Sequence, residues 1–158
     1  MNGSYDGVSD IAFEKRGDRT VLTNRYRSGN SRISALIPTE DDIPLYFLVA
    51  TGGGFIEGEK YYNIATLEKD AHAILTTQTP NYIYKCPNGK TTSQLNEVVV
   101  KEIAFLEYYI DEVIPYEDAI YYQKTFADIK KGGSLILTDG LTAGWSKSDT
   151  PFLYNRVD

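Results

Sequence analysis

Two carboxylates stand where extended chain meets glycine. Glu59 follows the run Gly52-Gly53-Gly54 and opens an extended segment, and Asp139 closes the apolar run Ser134 to Thr138 just before Gly140. Carboxylates at the ends of apolar strands are either exposed turn residues or groups lining a polar cavity. In a cavity they act as general acid and base or pass a hard or borderline cation along oxygen ligands. His72 is the single histidine and Cys86 the single cysteine, which excludes a multi-histidine centre, a Cys-x-x-Cys site and an intrachain disulfide. His72 reads as a half-exposed strand residue beside a turn. Cys86, followed by Pro87 and with no helix N-terminus to favour a thiolate, reads as structural.

The triple glycine invites a phosphate-loop reading. That reading needs Gly-Lys-Ser/Thr, or a glycine-rich turn, opening a helix. Here Phe55-Ile56-Glu57-Gly58-Glu59 follows instead, with two carboxylates that repel phosphate. A bend where backbones pack closely is the better reading.

The elements that must position these groups are strands. Asp10 to Lys15 and Thr20 to Tyr26 flank Arg16-Gly17-Asp18-Arg19, a β-hairpin turn. Residues 1–9 are expected to fray, 28–31 to form a loop, and Ile33 to Ile37 a short strand ended by Pro38. Leu45 to Thr51 is an apolar strand leading into the glycines. Residues around Tyr62 to Leu67 and Ala71 to Gln78 are joined by Glu68-Lys69-Asp70 and read as a strand pair. A second pair spans Leu95 to Val100 and Ala104 to Ile110 about Lys101-Glu102. A third spans Ala119 to Ile129 and Ser134 to Thr138 about Lys130-Lys131-Gly132-Gly133. Residues 111–118 read as irregular, and Phe152 to Val157 as the start of another strand.

Stacking NIATLEKDAHAILTTQ from Asn63, NEVVVKEIAFLEYYI from Asn96 and TFADIKKGGSLILTDG from Thr125 reveals a loose repeat: strand, charged turn, small residue, apolar strand. Its spacing of roughly thirty residues is that of stacked units, though ordinary hairpins give a similar pattern. No convincing amphipathic helix exists. The fold class expected is all-β, with stacked or coiled antiparallel and mixed strands and few or no helices.

Composition narrows the function. The chain has 158 residues, 22 acids against 16 bases and a net charge of −6, unlike a nucleic-acid or anionic-membrane surface. Thirteen tyrosines tilt it toward β structure. The absence of a signal-peptide pattern at Met1-Asn2-Gly3-Ser4-Tyr5 favours a cytoplasmic home.

Several short blocks in order carry a resemblance. They are Gly53-Gly54 with Gly58-Glu59, then Ala71-His72-Ala73-Ile74-Leu75-Thr76-Thr77-Gln78 ending at Tyr84, and Ala104-Phe105-Leu106-Glu107-Tyr108. Ile114-Pro115-Tyr116-Glu117-Asp118-Ala119 and Leu137-Thr138-Asp139 with Gly144 complete the set. From about Ile11 onward the chain resembles the urease accessory protein UreD family, called UreH in some organisms. The resemblance implies a β-helix-like body without enzymatic activity or a permanently bound cofactor. It also implies partners UreF, the GTPase UreG and apo-urease, with nickel in transit to the urease active site, and no nucleic acid or membrane. Glu59 and Asp139 match family positions that carry a carboxylate, and Asn81 a small polar position, so these three are expected to line a polar passage for the metal. Gly53, Gly54, Gly58, Thr77, Gln78, Tyr84, Pro115 and Gly144 are the structural residues of the motif.

Glu59 is one methylene longer than the usual Asp, and Trp145 stands where many relatives have Arg. Family members run beyond this chain's end. One β-rich domain over 1–158, truncated at its C-terminus, is therefore expected. It would carry an unpaired strand edge near Phe152 to Val157 and tend to poor solubility or self-association. The competing reading is a β-helix or jelly-roll carbohydrate-active enzyme using paired carboxylates.

Overall fold

A computed structural model describes residues 4–146, 150 and 152–157. Thirteen strands and no helix occur among them, so the protein is all-β, as its β-branched and aromatic runs demand. No described helix is long and apolar enough to cross a membrane.

The chain opens with β1 (Gly7–Arg16) and β2 (Arg19–Gly29), an antiparallel hairpin. Only Gly17 of its two turn residues has positive φ, +58°, as a type II′ turn requires. The fraying expected over residues 1–9 fails from Gly7 onward, because β1 is paired on both edges and Ser9 is buried. The loop expected at 28–31 contracts to Asn30, between β2 and β3 (Ser31–Ile33). The strand expected over 33–37 ends at Ile33, with a lone bridge from Ile37 to Leu45. β3 pairs antiparallel with β4 (Leu45–Ala50).

After the glycines the chain makes successive circuits. β5 (Lys60–Leu67), β6 (His72–Thr77) and β7 (Asn81–Ile83) form one. β8 (Thr92–Val100), β9 (Phe105–Tyr109) and β10 (Val113–Pro115) form the next. β11 (Ile120–Ile129) and β12 (Ser134–Leu137) follow, and β13 (Asn155–Val157) returns over β11. The short β10 lies within the stretch expected to be irregular; its pairing with β7 gives Pro115 an edge position where no N–H is needed.

The expected strand pairs about the charged turns do not form. β5 and β6 belong to different sheets, as do β8 and β9, and β11 and β12. One sheet runs β13-β11-β8-β5-β1-β2, the other β12-β9-β6-β4-β3, with β10-β7 as a short third column. Each strand of a circuit pairs in parallel with its counterpart roughly thirty residues on. The three segments of the sequence repeat are thus in register, with Asn63 opposite Asn96 and Asn96 opposite Thr125.

Corner geometry explains why these turns do not reverse the chain. At each, the N–H after the turn bonds three residues back: Ala71 to Glu68, Ala104 to Lys101 and Gly133 to Lys130. The preceding residue is left-handed, with φ of +60° at Asp70, +59° at Ile103 and +74° at Gly132. The corners also stack, Asp70 N donating to Glu102 O. A side chain at Gly133 would place its Cβ 2.8 Å from Lys101 O, so this corner takes glycine where the other two take Ala71 and Ala104. The strands on either side of a corner then point Leu67, Ala73, Leu75, Val100, Leu106 and Tyr108 into one buried cluster. Burial of this kind contributes roughly 25 cal/mol per Å² of apolar surface.

Candidate functional site

Alternation places every second residue of the long sheet inward, and the register sorts these residues into rows. Phe13, Leu67 and Val100 form an apolar row, and Ile11, Ala65 and Val98 the next. Then the chemistry changes. Ser9 lies opposite Asn63, Asn63 opposite Asn96 and Asn96 opposite Thr125. Asn63 Nδ2 donates to Asn96 Oδ1 at 3.1 Å, Gln94 Nε2 donates to the same oxygen at 3.1 Å, and Asn96 Nδ2 donates to Thr125 Oγ1 at 3.1 Å. Ser9, Gln94, Asn96 and Gln123 are all buried. Beyond this row a second apolar cluster begins, with Phe55, Tyr61, Ile83, Val113 and Tyr121. A polar layer therefore runs across the strands between two apolar cores.

A cavity of about 20 Å³ sits against this layer, lined by Ser9, Ser31, Asn63, Gln94, Thr77 and Asn81 among others. That volume suits about one water molecule. A neighbouring hollow of about 30 Å³ is lined by Gly53, Gly54, Gln78, Thr79 and Pro80, and shares Thr77 and Asn81 with the first. Both linings consist of neutral groups. The two hollows adjoin, from the exposed glycine bend to the buried amides.

Asn81 stands where they meet; it opens β7, and its N–H bonds Glu112 O. Glu59 is half-buried beside the inner cavity without lining it. Its carboxylate accepts from Asn30 Nδ2 at 3.2 Å, Ile56 N at 2.9 Å and Tyr61 OH at 3.0 Å. Tyr61 does line the cavity and stacks on Phe55 with ring centroids 3.8 Å apart. Burial first, then the Glu59 charge, push the Tyr61 hydroxyl well above its ordinary range. Asp139 is exposed past the end of β12, accepts a hydrogen bond from Gly140 N, and lines neither hollow. The fold thus gathers Asn81 and, through Tyr61, Glu59 at one cavity, and sets Asp139 on the surface.

Among the motif glycines, Gly54 and Gly144 have a steric cause, whereas Gly53 and Gly58 are set by positive φ, +75° and +81°. Gly54, at φ +149°, lies so close to Tyr82 O and the Tyr84 ring that a Cβ would stand 2.8 and 2.7 Å from them. Phe55 N donates to Tyr82 O, and Tyr84 OH to Gly53 O. Gly58 N reaches Thr92 Oγ1. Thr77 Oγ1 accepts from Asp111 N. Pro115 O accepts from Gly144 N. This is the close backbone packing expected of the glycine bend.

His72 is half-exposed on the outer face of the second sheet. Its Nε2 is 2.8 Å from Glu107 Oε1, and its ring stacks on Phe105. The Tyr109 hydroxyl foremost, helped by His72, holds the Glu107 carboxyl below the usual carboxylate range against the opposing effect of burial. Cys86 is buried, and its sulfur accepts a hydrogen bond from Ile120 N. Among the described residues no three His, Cys, Asp or Glu side chains gather as a metal site would require.

The polar row was missed in the sequence because it is made of residue types usual on a solvated face. Inward alternation of Thr92, Gln94 and Asn96 with Val98 and Val100, combined with the repeat register, was the signal that could have found it.

The family model described as UreD urease accessory protein matches residues 5–158. The chain belongs to the UreD family. Urease accessory protein UreD of Streptococcus salivarius is 46% identical over 155 residues, covering 98% of this chain and 56% of the relative. The Staphylococcus aureus (strain bovine RF122 / ET3-1) protein of the same name is 36% identical over 154 residues, 97% of this chain and 55% of the relative. That of Lachnoclostridium phytofermentans is 32% identical over 156 residues, 98% and 57% respectively. The chain spans about half the length of these UreD relatives.

Proposed function

We propose that the chain works in urease maturation as a non-enzymatic, cytoplasmic scaffold of the UreD type. It holds apo-urease together with UreF and UreG while nickel moves to the urease active site. The single β-rich unit over 1–158, read as β-helix-like, is the holding body; its in-register circuits support that reading.

One observation carries the metal's part: the adjoining hollows that lead from Gly53 and Gly54 past Asn81 to the amides of Asn63 and Gln94. Amide and hydroxyl oxygens can take the place of a divalent cation's waters, as hollows of about 20 and 30 Å³ require, and they hold it weakly enough to let it leave. Nickel here is cargo. In this reading Asn81 lines the route, Glu59 fixes Tyr61 against it, and Asp139 serves as a surface carboxylate on the approach.

The test uses the urease subunits and accessory proteins co-expressed with a full-length UreD carrying this region. Asn81→Leu, Glu59→Ala and Asp139→Ala each lower the nickel content and activity of the urease formed, while a tag on the chain still captures UreF and urease. Unchanged activation in Asn81→Leu and Glu59→Ala rejects the route. Failure to capture either partner with the wild-type chain rejects the scaffold.

A further inference from the structure

Arginine is unevenly spread along this acidic chain. Arg16, Arg19, Arg25, Arg27 and Arg32 crowd residues 16–32, and Arg156 alone stands elsewhere. No lysine lies on β2 or β3, although lysine is the usual guard of a strand edge. β2 and β3 are the outer strands where the stack begins, and the later circuits are added at the opposite edge of each sheet. Apart from its bonds to β1, no backbone hydrogen bond joins β2 to another described residue.

Arg16 is paired with Glu14, and Arg19 with Asp42. Arg25, Arg27 and Arg32 are exposed and enter no ion pair among the described residues. Arg25 Nη1 donates to Ser34 O at 3.4 Å, and Arg32 Nη1 to Gly29 O and Ser31 O at 2.7 Å. These carbonyls position a guanidinium without cancelling its charge, and they leave most of its five donors unused. In the register Arg25 stands opposite Ile11 and Arg27 opposite Ser9, both buried. The two arginines therefore share the face turned toward the second sheet, with Cα atoms about 7 Å apart. Farther along the same strand lies a hollow of about 340 Å³, walled by Leu22, Leu36, Ile37, Ile43 and Pro44. Leu36 is 54% exposed.

We propose that β2 is the docking edge for an acidic, extended segment of a partner protein. Carboxylates at alternate residues of that segment meet Arg25 and Arg27, its backbone adds to the free edge of β2, and an apolar side chain enters the hollow beside Leu36. Charge and shape together select this occupant. The guanidinium fork matches a carboxylate in two bonds where lysine offers a point charge. A membrane or a nucleic acid spans more than one strand edge and would meet the rest of a surface whose net charge is −6. A short segment meets only the arginines, and only a polypeptide uses both the strand edge and the apolar hollow. The inference stands apart from the urease reading and from the nickel route.

Fluorescence anisotropy tests it on the 158-residue chain with a labelled peptide, Leu-Thr-Glu-Thr-Glu-Thr-Leu, whose leucine at each end serves either strand direction. The wild type binds the peptide, and binding weakens as salt is raised. Arg25→Gln combined with Arg27→Gln raises Kd about tenfold or more, and replacing both glutamates of the peptide by glutamine does the same. Leu36→Asp also raises Kd, whereas Lys130→Gln, at the corner after β11, leaves it unchanged. Circular dichroism confirms that each variant is folded, and if the double arginine variant is not, the glutamine peptide decides. A wild type that does not bind, or a Kd indifferent to the arginine changes, to the glutamine peptide or to Leu36→Asp, overturns the proposal. So does tighter binding, through the same arginines, of phosphatidylserine vesicles or of a thymidine oligonucleotide.

Discussion

Asn63 and Asn96 face each other across neighbouring circuits, and the Nδ2 of the first donates to the Oδ1 of the second over 3.1 Å. Gln94 donates to the same oxygen, and Asn96 itself donates to Thr125. Asn96 is thus the hub of a buried amide network, and an unmade hydrogen bond in such a place is more damaging than a made one is helpful. Asn96→Leu strands the amide donors of Asn63 and Gln94. It should destabilise the fold by about 2–4 kcal/mol, read as a lower urea midpoint with an unchanged slope.

Ile103 has the opposite problem. It is β-branched, 64% exposed and held at φ +59° at a corner whose equivalents are Asp70 and Gly132. The left-handed region costs a non-glycine residue roughly 1–2 kcal/mol. Ile103→Gly relieves that strain and loses little burial. It should raise the melting temperature by about 2–4 °C, in differential scanning calorimetry. A fall would mean that the side chain packs more usefully than its exposure indicates.

Alkali should unfold the protein through its tyrosines. Burial is the leading cause that raises Tyr61, Tyr62 and Tyr108, reinforced by Glu59 at the first and Glu97 at the second. An unfolded tyrosine ionises near about 10, so above that pH the unfolded chain has released protons the native one keeps. Stability is therefore fully present below that pH and falls as pH rises past it. Tyrosinate absorbance should rise in two phases, the later one coinciding with loss of circular dichroism. Tyr62→Phe should make the fall shallower.

On the acid side Glu107 contributes to the slope, as does Glu57, whose carboxyl, against the effect of burial, is also held below its ordinary range by Lys90 and Asn88. Tyr109, then His72, hold its folded pKa below the unfolded value of about 4.3. Its contribution is present above that value and is lost as pH falls through the depressed one. Urea midpoints from pH 7 down to about 3 should fall more steeply in the wild type than in Glu107→Gln. Equal slopes would remove Glu107 as a cause.

Cys86 should be silent to a thiol reagent in native buffer, because the residue is buried and its sulfur is engaged by Ile120 N. Modification should track the unfolding transition in urea. A burst of reaction before unfolding would show that the segment opens locally.

Strand content was legible in the sequence because alternation and β-branching act locally. The hairpin at Gly17-Asp18 was legible for the same reason. The repeat from Asn63, Asn96 and Thr125 aligned residues that are true register partners. What failed was the pairing scheme. A charged turn between two apolar runs looks the same whether it folds the chain back or carries it round a corner. The difference lies in one left-handed residue and in a neighbour a circuit away. At the site, Glu59, Asn81 and Asp139 were marked by motif position alone. The fold places Asn81 in the cavity wall, ties Glu59 to that wall through Tyr61, and leaves Asp139 outside. Distances across the sheet decide this, and no local pattern encodes them.

Parallel stacking also governs how fast such a body can assemble. β1 is bonded to β5, and β5 to β8, so outside the β1–β2 hairpin each parallel pairing of the long sheet must wait for a strand made roughly thirty or more residues later. Closing those long loops before any contact rewards the closure is slow, and it exposes apolar strands meanwhile. Refolding on the order of seconds follows from the same register that aligns the asparagines.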